Sequence, residues 1–449
     1  MTSIYAAAAL LGDGWAENVR IAFDGGRIES IETAASPQPD DERHGVVVPG
    51  MINLHSHAFQ RAMSGLAELR GPSSDSFWSW RKVMYDFALA FDPEAVEAIA
   101  TQLYVEMLEA GFTRVGEFHY LHHDRDGRPY ADIAEHAARI AAAASDAGVS
   151  LTLLPVFYAH AGFGGTAPGD GQKRFINSVD GFARLMERCE AIVAALPEGR
   201  LGIAPHSLRA VTPEELAQIL PLAKDGPIHI HVAEQVKEVE DCVAWSGARP
   251  VEWLLDNAPV DGRWTLIHAT HMTEAETAAM ARRRAVAGLC PITEANLGDG
   301  TFSAPLFLNE GGDFGIGSDS NVLISVAQEL RQLEYSQRLL HRSRNVIAHA
   351  GESTGRRLFD EALRGGSRSL RGSGALETGG SADMVALDTA GAPYFTLETL
   401  LDHWIFGSGV GVDTVWVGGR KYVSNGRHVD RDRVFARFSR LMRAARSRL

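Results

Sequence analysis

Cysteine is scarce in this chain: Cys189, Cys242 and Cys290 are its only three in 449 residues. An odd number at such wide spacing excludes a disulfide framework and a cysteine-based zinc site. These residues read instead as small apolar side chains in a reducing compartment. No uninterrupted apolar run approaches the ~20 residues that span a bilayer. The run Ile4–Leu11 has no basic segment before it and is short for a signal peptide, so a cytoplasmic protein is expected. Positive charge is also in deficit, with 43 Lys and Arg against 57 Asp and Glu and a net charge of -14. A nucleic-acid-binding surface would be basic, so that class is excluded, while a local pocket for an anion is not.

The two ends of the chain share a texture of short strands and turns. Asp24-Gly-Gly-Arg27 reads as a hairpin turn between strands at 18–23 and 27–32, and strand-like segments recur at 382–388 and 414–423. The ends are therefore expected to build one small β-sandwich domain together, from residues 1–48 and 372–449. Between them strand-like and helix-like segments alternate. Strands are expected at 46–57, 112–120, 150–158, 201–207, 228–234, 265–271, 285–290 and 314–319. Helices are expected at 92–110, 131–148, 179–196, 212–224, 239–257 and 273–284, the first opened by Asp92 as N-cap and Pro93 at the first helical position. This alternation gives an α/β class and a (β/α)8 TIM-like barrel over residues 49–371. In such a barrel the chemistry gathers at the C-terminal ends of the strands.

The polar residues fall there. His55 and His57 close the first strand, and alternate residues of a strand face one side, so both rings point the same way. Taken alone, the pair fits a metal site or two hydrogen-bonded rings equally well. His231 and Glu234 end the fifth strand, His268 the sixth and Asp319 the eighth. A buried acid or imidazole needs a partner, and convergence on one cation would satisfy all of them. His229 faces the same side as His231. His231 is favoured as the ligand because it lies nearer the strand end and has Glu three residues on, which leaves His229 either behind the ligands, supporting them, or in a core layer. His271 lies past the apolar run and reads as an exposed loop or helix-start residue. Glu117 and His119 alternate on the second strand, as a buried pair or as pocket lining. His122 and His123 read as loop residues, and Cys290 as packing.

With P-G-M-I-N-L-H-S-H at 49–57 followed by His, His and Asp on strands five, six and eight, the chain resembles the amidohydrolase superfamily. Some members hold two metals bridged by a carboxylated lysine on strand four. This chain has no lysine between Lys173 and Lys224, so the resemblance implies the branch with a single metal, which contains deaminases. It implies one zinc per subunit held by His55, His57, His231 and Asp319, with a position left for water whose pKa falls toward ~7. Asp319 would accept that water's proton, His268 would orient the water and stabilise the oxyanion-like centre, and Glu234 would carry a proton to the departing nitrogen. Relatives of this kind imply a homodimer.

Segments around this set narrow the substrate. Gln60 follows the histidine pair, Arg81 closes the segment SFWSWR at 76–81 in an expected long loop, Tyr120 ends strand two, and His206 and Arg209 follow strand four. These segments resemble the formimidoylglutamate deiminases, zinc enzymes of histidine catabolism. The resemblance implies a small dicarboxylate substrate, no nucleic acid and no membrane. Arg81 and Arg209 would each clamp a carboxylate, since a guanidinium fork suits bidentate recognition. Tyr120 and His206 would add donors, and Gln60 would meet the formimidoyl or amide region. Arg81 on a solvated loop, with Phe77, Trp78 and Trp80 as that loop's own small core, is the competing reading. The alternative functions are deamination of guanine or a related heteroaromatic base, and imidazolonepropionase. A neutral base needs no cationic clamps, and the imidazolonepropionase substrate has one carboxylate. A non-catalytic metal-binding protein would need neither the acid Glu234 nor an open coordination position.

Overall fold

The computed structural model describes residues 2–70 and 77–446, without the side chains of 445 and 446. Eight parallel strands form the barrel: Met51–Ser56, Phe112–His119, Ser150–Phe157, a fourth in two pieces at Arg200–Leu201 and Ala204–Pro205, Ile228–Val232, Trp264–His268, Val286–Leu289 and Phe314–Ile316. Single bridges from Ile203 to Ile228 and from Ser207 to His231 close the ring between strands four and five. Every residue of strands one, two, three, five, six, seven and eight is buried. Such strands read as continuous apolar runs, which is why they stand out in the sequence.

The termini build one mixed sheet of eight hydrogen-bonded strands. In sheet order these are Arg427–His428, Arg420–Ser424, Gly411–Val417, Met384–Asp388, Glu42–Pro49, Thr2–Leu11, Gly14–Asp24 and Arg27–Glu32. Glu42–Pro49 joins the two ends, parallel to Thr2–Leu11 and antiparallel to Met384–Asp388. The sheet has its own core of Ile4, Ile21, Phe23, Val47, Met384 and Trp416. The hairpin at Asp24–Arg27 forms as expected, with Gly25 and Gly26 at φ of 53° and 87°, the left-handed values that its tight turn requires. Helix Arg431–Arg446 lies against helix Pro93–Glu109, where Arg437 Nη1 meets Glu97 Oε1 at 2.8 Å.

Three expectations need correction. The run 46–57 is two strands in two sheets, not one. It divides at Gly50, where an added Cβ would lie 2.3 Å from the Thr113 side chain. Residues 239–257 form two helices, Val236–Ser246 and Pro250–Asn257, separated by Gly247 in the left-handed conformation and restarted by Pro250. Both stop and start signals stand in the sequence. Arg81 is not on a loop: Phe77–Ala90 is a helix that buries Phe77, Met84, Phe87 and Ala88, and that spacing is a helical one. Ser76 of the same segment lies outside the described residues. No described helix is long and apolar enough to cross a membrane.

Candidate active site

The first strand delivers His55 and His57 to the barrel mouth, and the eighth meets it there. His57 N donates to Asp319 O at 3.1 Å and Asp319 N to His55 O at 2.9 Å. The approach depends on Gly317, where an added Cβ would lie 2.8 Å from both the Cβ and the carbonyl oxygen of His55. Three imidazoles and a carboxylate converge at this point. His55 Nε2 lies 3.2 Å from His57 Nε2 and 3.1 Å from His231 Nε2. Asp319 Oδ1 lies 3.4 Å from His55 Nε2 and 3.2 Å from His57 Nε2.

Hydrogen bonding on the far side of two of the rings, His57 and His231, fixes where their Nδ1 hydrogens lie. His57 Nδ1 lies 2.9 Å from Phe118 O and His231 Nδ1 lies 3.0 Å from His206 O. A carbonyl only accepts, so each Nδ1 carries a hydrogen and each ring turns its Nε2 inward. Burial pushes His55 down to about 3 and His231 well below the ordinary histidine value, so both are neutral at pH 7. Burial alone would raise Asp319, but the His55 and His57 rings set against it outweigh that and hold the carboxyl well below its usual range. One ligand atom from each of the four residues lies within 4.8 Å of the others, and all four residues are buried. Donors about 3.3 Å apart suit an ion with bonds near 2.0–2.1 Å. Three imidazole nitrogens converging beside a carboxylate fit a divalent cation.

Around this cluster lie the groups that can move protons. His268 Nε2 is 3.7 Å from Glu234 Oε1 and 3.9 Å from Asp319 Oδ2. Burial would neutralise His268, but Glu234, the contact with Glu294 and Asp319 together push it upward. Burial pushes Glu234 upward, against the pull of His268 and Arg209. Glu234 leaves the fifth strand through Ala233, a left-handed residue at φ 52°, and the backbone amides of both donate to the Glu238 carboxylate at 3.2 Å.

A cavity of about 530 Å³ opens above. Ten of the eleven residues expected at the site line it, from His57 and Gln60 to Asp319, and the eleventh, His55, forms part of the ligand cluster beneath. Gln60 Nε2 donates to the Tyr120 hydroxyl at 2.8 Å, which leaves the buried Gln60 Oε1 as a free acceptor. Arg209 is buried with no hydrogen-bond partner at Nε among the described residues, 4.0 Å from Glu238. Burial disfavours its charge, and Glu238 and Glu234 restore it. The Arg81 guanidinium lies over the Trp78 ring at 4.6 Å and the Tyr85 ring at 5.6 Å. His206 is held against the Tyr158 ring, with centroids 4.5 Å apart.

The structure also sorts the remaining candidates. His229 lies in the core below the cluster, with Nε2 3.1 Å from Ser369 Oγ, and burial pushes it to about 3. Glu117 accepts from Ala58 N at 2.7 Å and from the Tyr104 hydroxyl at 3.1 Å, and burial pushes it up to about 7, so it braces the turn after His57. His119 lies away from the cavity lining, its ring 5.6 Å from His122. His122 and His123 are loop residues but buried ones, bound to Val156 O and Ile176 O. His271 is half-buried rather than exposed, because Gly300 packs against its ring. The Cys290 thiol lies near His268 and Asp319, but burial pushes it well above the ordinary value and leaves it protonated. Tyr85 and Tyr158 line the cavity without having been expected there. Tyr158 directly follows the third strand, and the strand-end rule alone would have found it.

The profile of the amidohydrolase family matches residues 46–422, which span the barrel and strands Met384–Asp388 and Gly411–Val417 of the outer sheet. The chain belongs to the amidohydrolase family. Residues 1–45 match the profile described as formimidoylglutamate deiminase HutF, N-terminal domain. Over 441 residues this amidohydrolase is 52% identical to a formimidoylglutamate deiminase of Pseudomonas aeruginosa, covering 96% of this chain and 97% of that one. A crystal structure of an amidohydrolase from Brucella melitensis superimposes with a TM-score of 0.97 at 60% identity, covering 99% of this chain and 100% of that one. An adenosine deaminase from Xanthomonas campestris solved with bound zinc shares the fold, with a TM-score of 0.81 at 22% identity over 100% of this chain and 98% of that one.

Proposed function

We propose that this amidohydrolase deiminates N-formimidoyl-L-glutamate to N-formyl-L-glutamate and ammonia, a step of histidine degradation. The full-length likeness to the Pseudomonas enzyme, whose name states that activity, carries the reading. The cavity supports it independently. An acidic protein has placed two guanidinium groups, Arg81 and Arg209, in one pocket beside four metal-type ligands. That arrangement suits a substrate with two carboxylates and a small hydrolysable head. The division of labour extends to the whole chain, with residues 49–371 as the catalytic barrel and 1–48 with 372–449 as the supporting β-domain.

His55, His57, His231 and Asp319 would hold one zinc ion per chain, the metal carried by the Xanthomonas relative. Held there, zinc would supply an acidified water as nucleophile. The chain's own residues do the rest. Arg209 and Arg81 anchor the carboxylates, while Tyr120 and His206 add donors at the mouth. The free Gln60 Oε1 accepts an N–H of the formimidoyl head. Water adds to the formimidoyl carbon, Asp319 accepts its proton, and His268 presents positive charge to the oxygen as it becomes anionic. Glu234, pushed upward by burial, can carry a proton near neutral pH and deliver it to the nitrogen. As the added hydroxyl gives its own proton to Glu234, the proton held by Asp319 passes to the same nitrogen, the carbonyl forms, the carbon–nitrogen bond breaks and ammonia leaves.

The reading includes a cytoplasmic enzyme, in keeping with three free buried cysteines, and a homodimer, for which sedimentation velocity is the check. The deciding assay is ammonia release from formimidoylglutamate against guanine, with ring opening of imidazolonepropionate as a third arm. Turnover of formimidoylglutamate alone is expected. Activity on guanine alone, or on imidazolonepropionate alone, overturns the substrate.

A further inference from the structure

Helix Pro291–Leu297 follows the seventh strand and does not line the cavity, yet its first turn reaches two of the strand ends that carry the chemistry. Thr293 Oγ1 lies 2.9 Å from Ser320 Oγ and 3.4 Å from both Ser318 O and Ser320 N, so it grips the two residues that flank Asp319. Its neighbour Glu294 turns to the sixth strand, with Oε1 3.5 Å from His268 Nδ1 and accepting from Cys290 N at 3.0 Å. Behind the turn, Glu329 Oε2 accepts from Ile292 N at 2.9 Å and pins it in place. The two residues so braced have strained backbones: His268 at φ 66° and Asp319 at φ 44° lie in the left-handed region. For residues other than glycine that region costs on the order of 1–3 kcal/mol and persists only where the surroundings enforce it.

His268 Nδ1 is buried without a hydrogen-bond partner among the described residues, with Glu294 Oε1 3.5 Å away, and Glu294 is itself only 5% exposed. We propose that Glu294 is a positioning residue for the reaction, holding the Nδ1–H of His268 so that Nε2 is the nitrogen presented to Glu234, Asp319 and the substrate. A carboxylate only accepts, so Nδ1 carries a hydrogen whether the imidazole is neutral or charged, and the mobile proton is confined to Nε2. Without Glu294 the ring is free to exchange tautomers or rotate. A buried acid behind a working imidazole does the same in other hydrolases, where loss of the acid leaves the wrong tautomer in place. The inference rests on the role given to His268 in the deiminase reading.

The test uses the metal-loaded full-length enzyme and two readouts. In ring-labelled protein, nitrogen NMR of His268 is expected to show Nδ1 protonated across neutral pH in the wild type and a mixed tautomer in Glu294→Gln. On formimidoylglutamate, Glu294→Gln is expected to lower kcat roughly 10–100-fold, with KM and metal content little changed, and Glu294→Asp to recover part of the loss. A wild-type His268 with a bare Nδ1 overturns the proposal even if the Gln variant fails to fold. So does a Gln variant with wild-type kcat, or one whose loss is explained by lost metal. A wild type inert toward formimidoylglutamate overturns the functional reading instead, and its ring spectrum still decides the Glu294 assignment.

Discussion

The side chains of the site divide by what they touch, and substitutions should divide the same way. His55, His57, His231 and Asp319 face one another, so alanine at any of them is expected to lose bound metal and activity together. Glu234 contacts His268 rather than that cluster, so Glu234→Gln is expected to keep its metal while turnover falls on the order of 10²–10⁴-fold. Metal analysis beside the ammonia assay separates the two outcomes, and full activity in Glu234→Gln would refute the mechanism. Arg209 is a binding residue in this scheme. Arg209→Met should raise KM roughly 10–100-fold, the scale of one charged hydrogen-bonded contact of about 1.5–3 kcal/mol. Arg209→Lys should rescue little of it, since an ammonium does not reproduce the planar fork. Steady-state kinetics on formimidoylglutamate check both.

At the scale of elements, the site depends on how closely strand eight can approach strand one. Gly317→Ala would place a methyl group 2.8 Å from His55 Cβ, against backbone that cannot swing aside. An overpacking cost of about 1–3 kcal/mol is expected, together with weaker metal retention, because the clash lies at a ligand. Urea unfolding and a chelator titration measure the two effects, and an unchanged pair would show that the contact is slack. Elements were legible in the sequence where one local pattern dominates. The buried strands read as apolar runs, and the four candidate ligand residues lie at or just beyond their ends. The break at Gly50 was not legible, because an unbroken apolar run hides a chain passing from one sheet to another. Helix Phe77–Ala90 is hard to read from sequence because its aromatic start resembles a loop cluster, although its later residues keep helical spacing. Glu238 and Glu294 carry no sequence signal at all. Each lies on a helix just beyond a strand, and only packing turns it back toward the site.

The whole molecule keeps a group of histidines neutral behind the second strand. Burial pushes His119 down to about 3, and it pushes His122 and His136 well below the ordinary value, with Arg174 adding to the effect on His136. The unfolded chain binds these protons once pH drops below ~6.5, while the folded chain does not. Their stabilisation is therefore complete above that pH and is lost as pH falls from ~6.5 toward the folded values, by about 1.4 kcal/mol per unit per group. The melting temperature should decline through this window. His136→Gln, which can still accept from Arg174 Nη2 at 2.9 Å in the parent geometry, should flatten the slope, and identical slopes would refute the account. A last consequence concerns biosynthesis. Glu42–Pro49 takes its antiparallel partner from Met384–Asp388, more than three hundred residues later. The leading segment must therefore leave the ribosome with a valine-rich edge unpaired and wait until most of the chain has been translated. That interval is when the growing polypeptide is most exposed to edge-to-edge association, and a holding chaperone would matter most then.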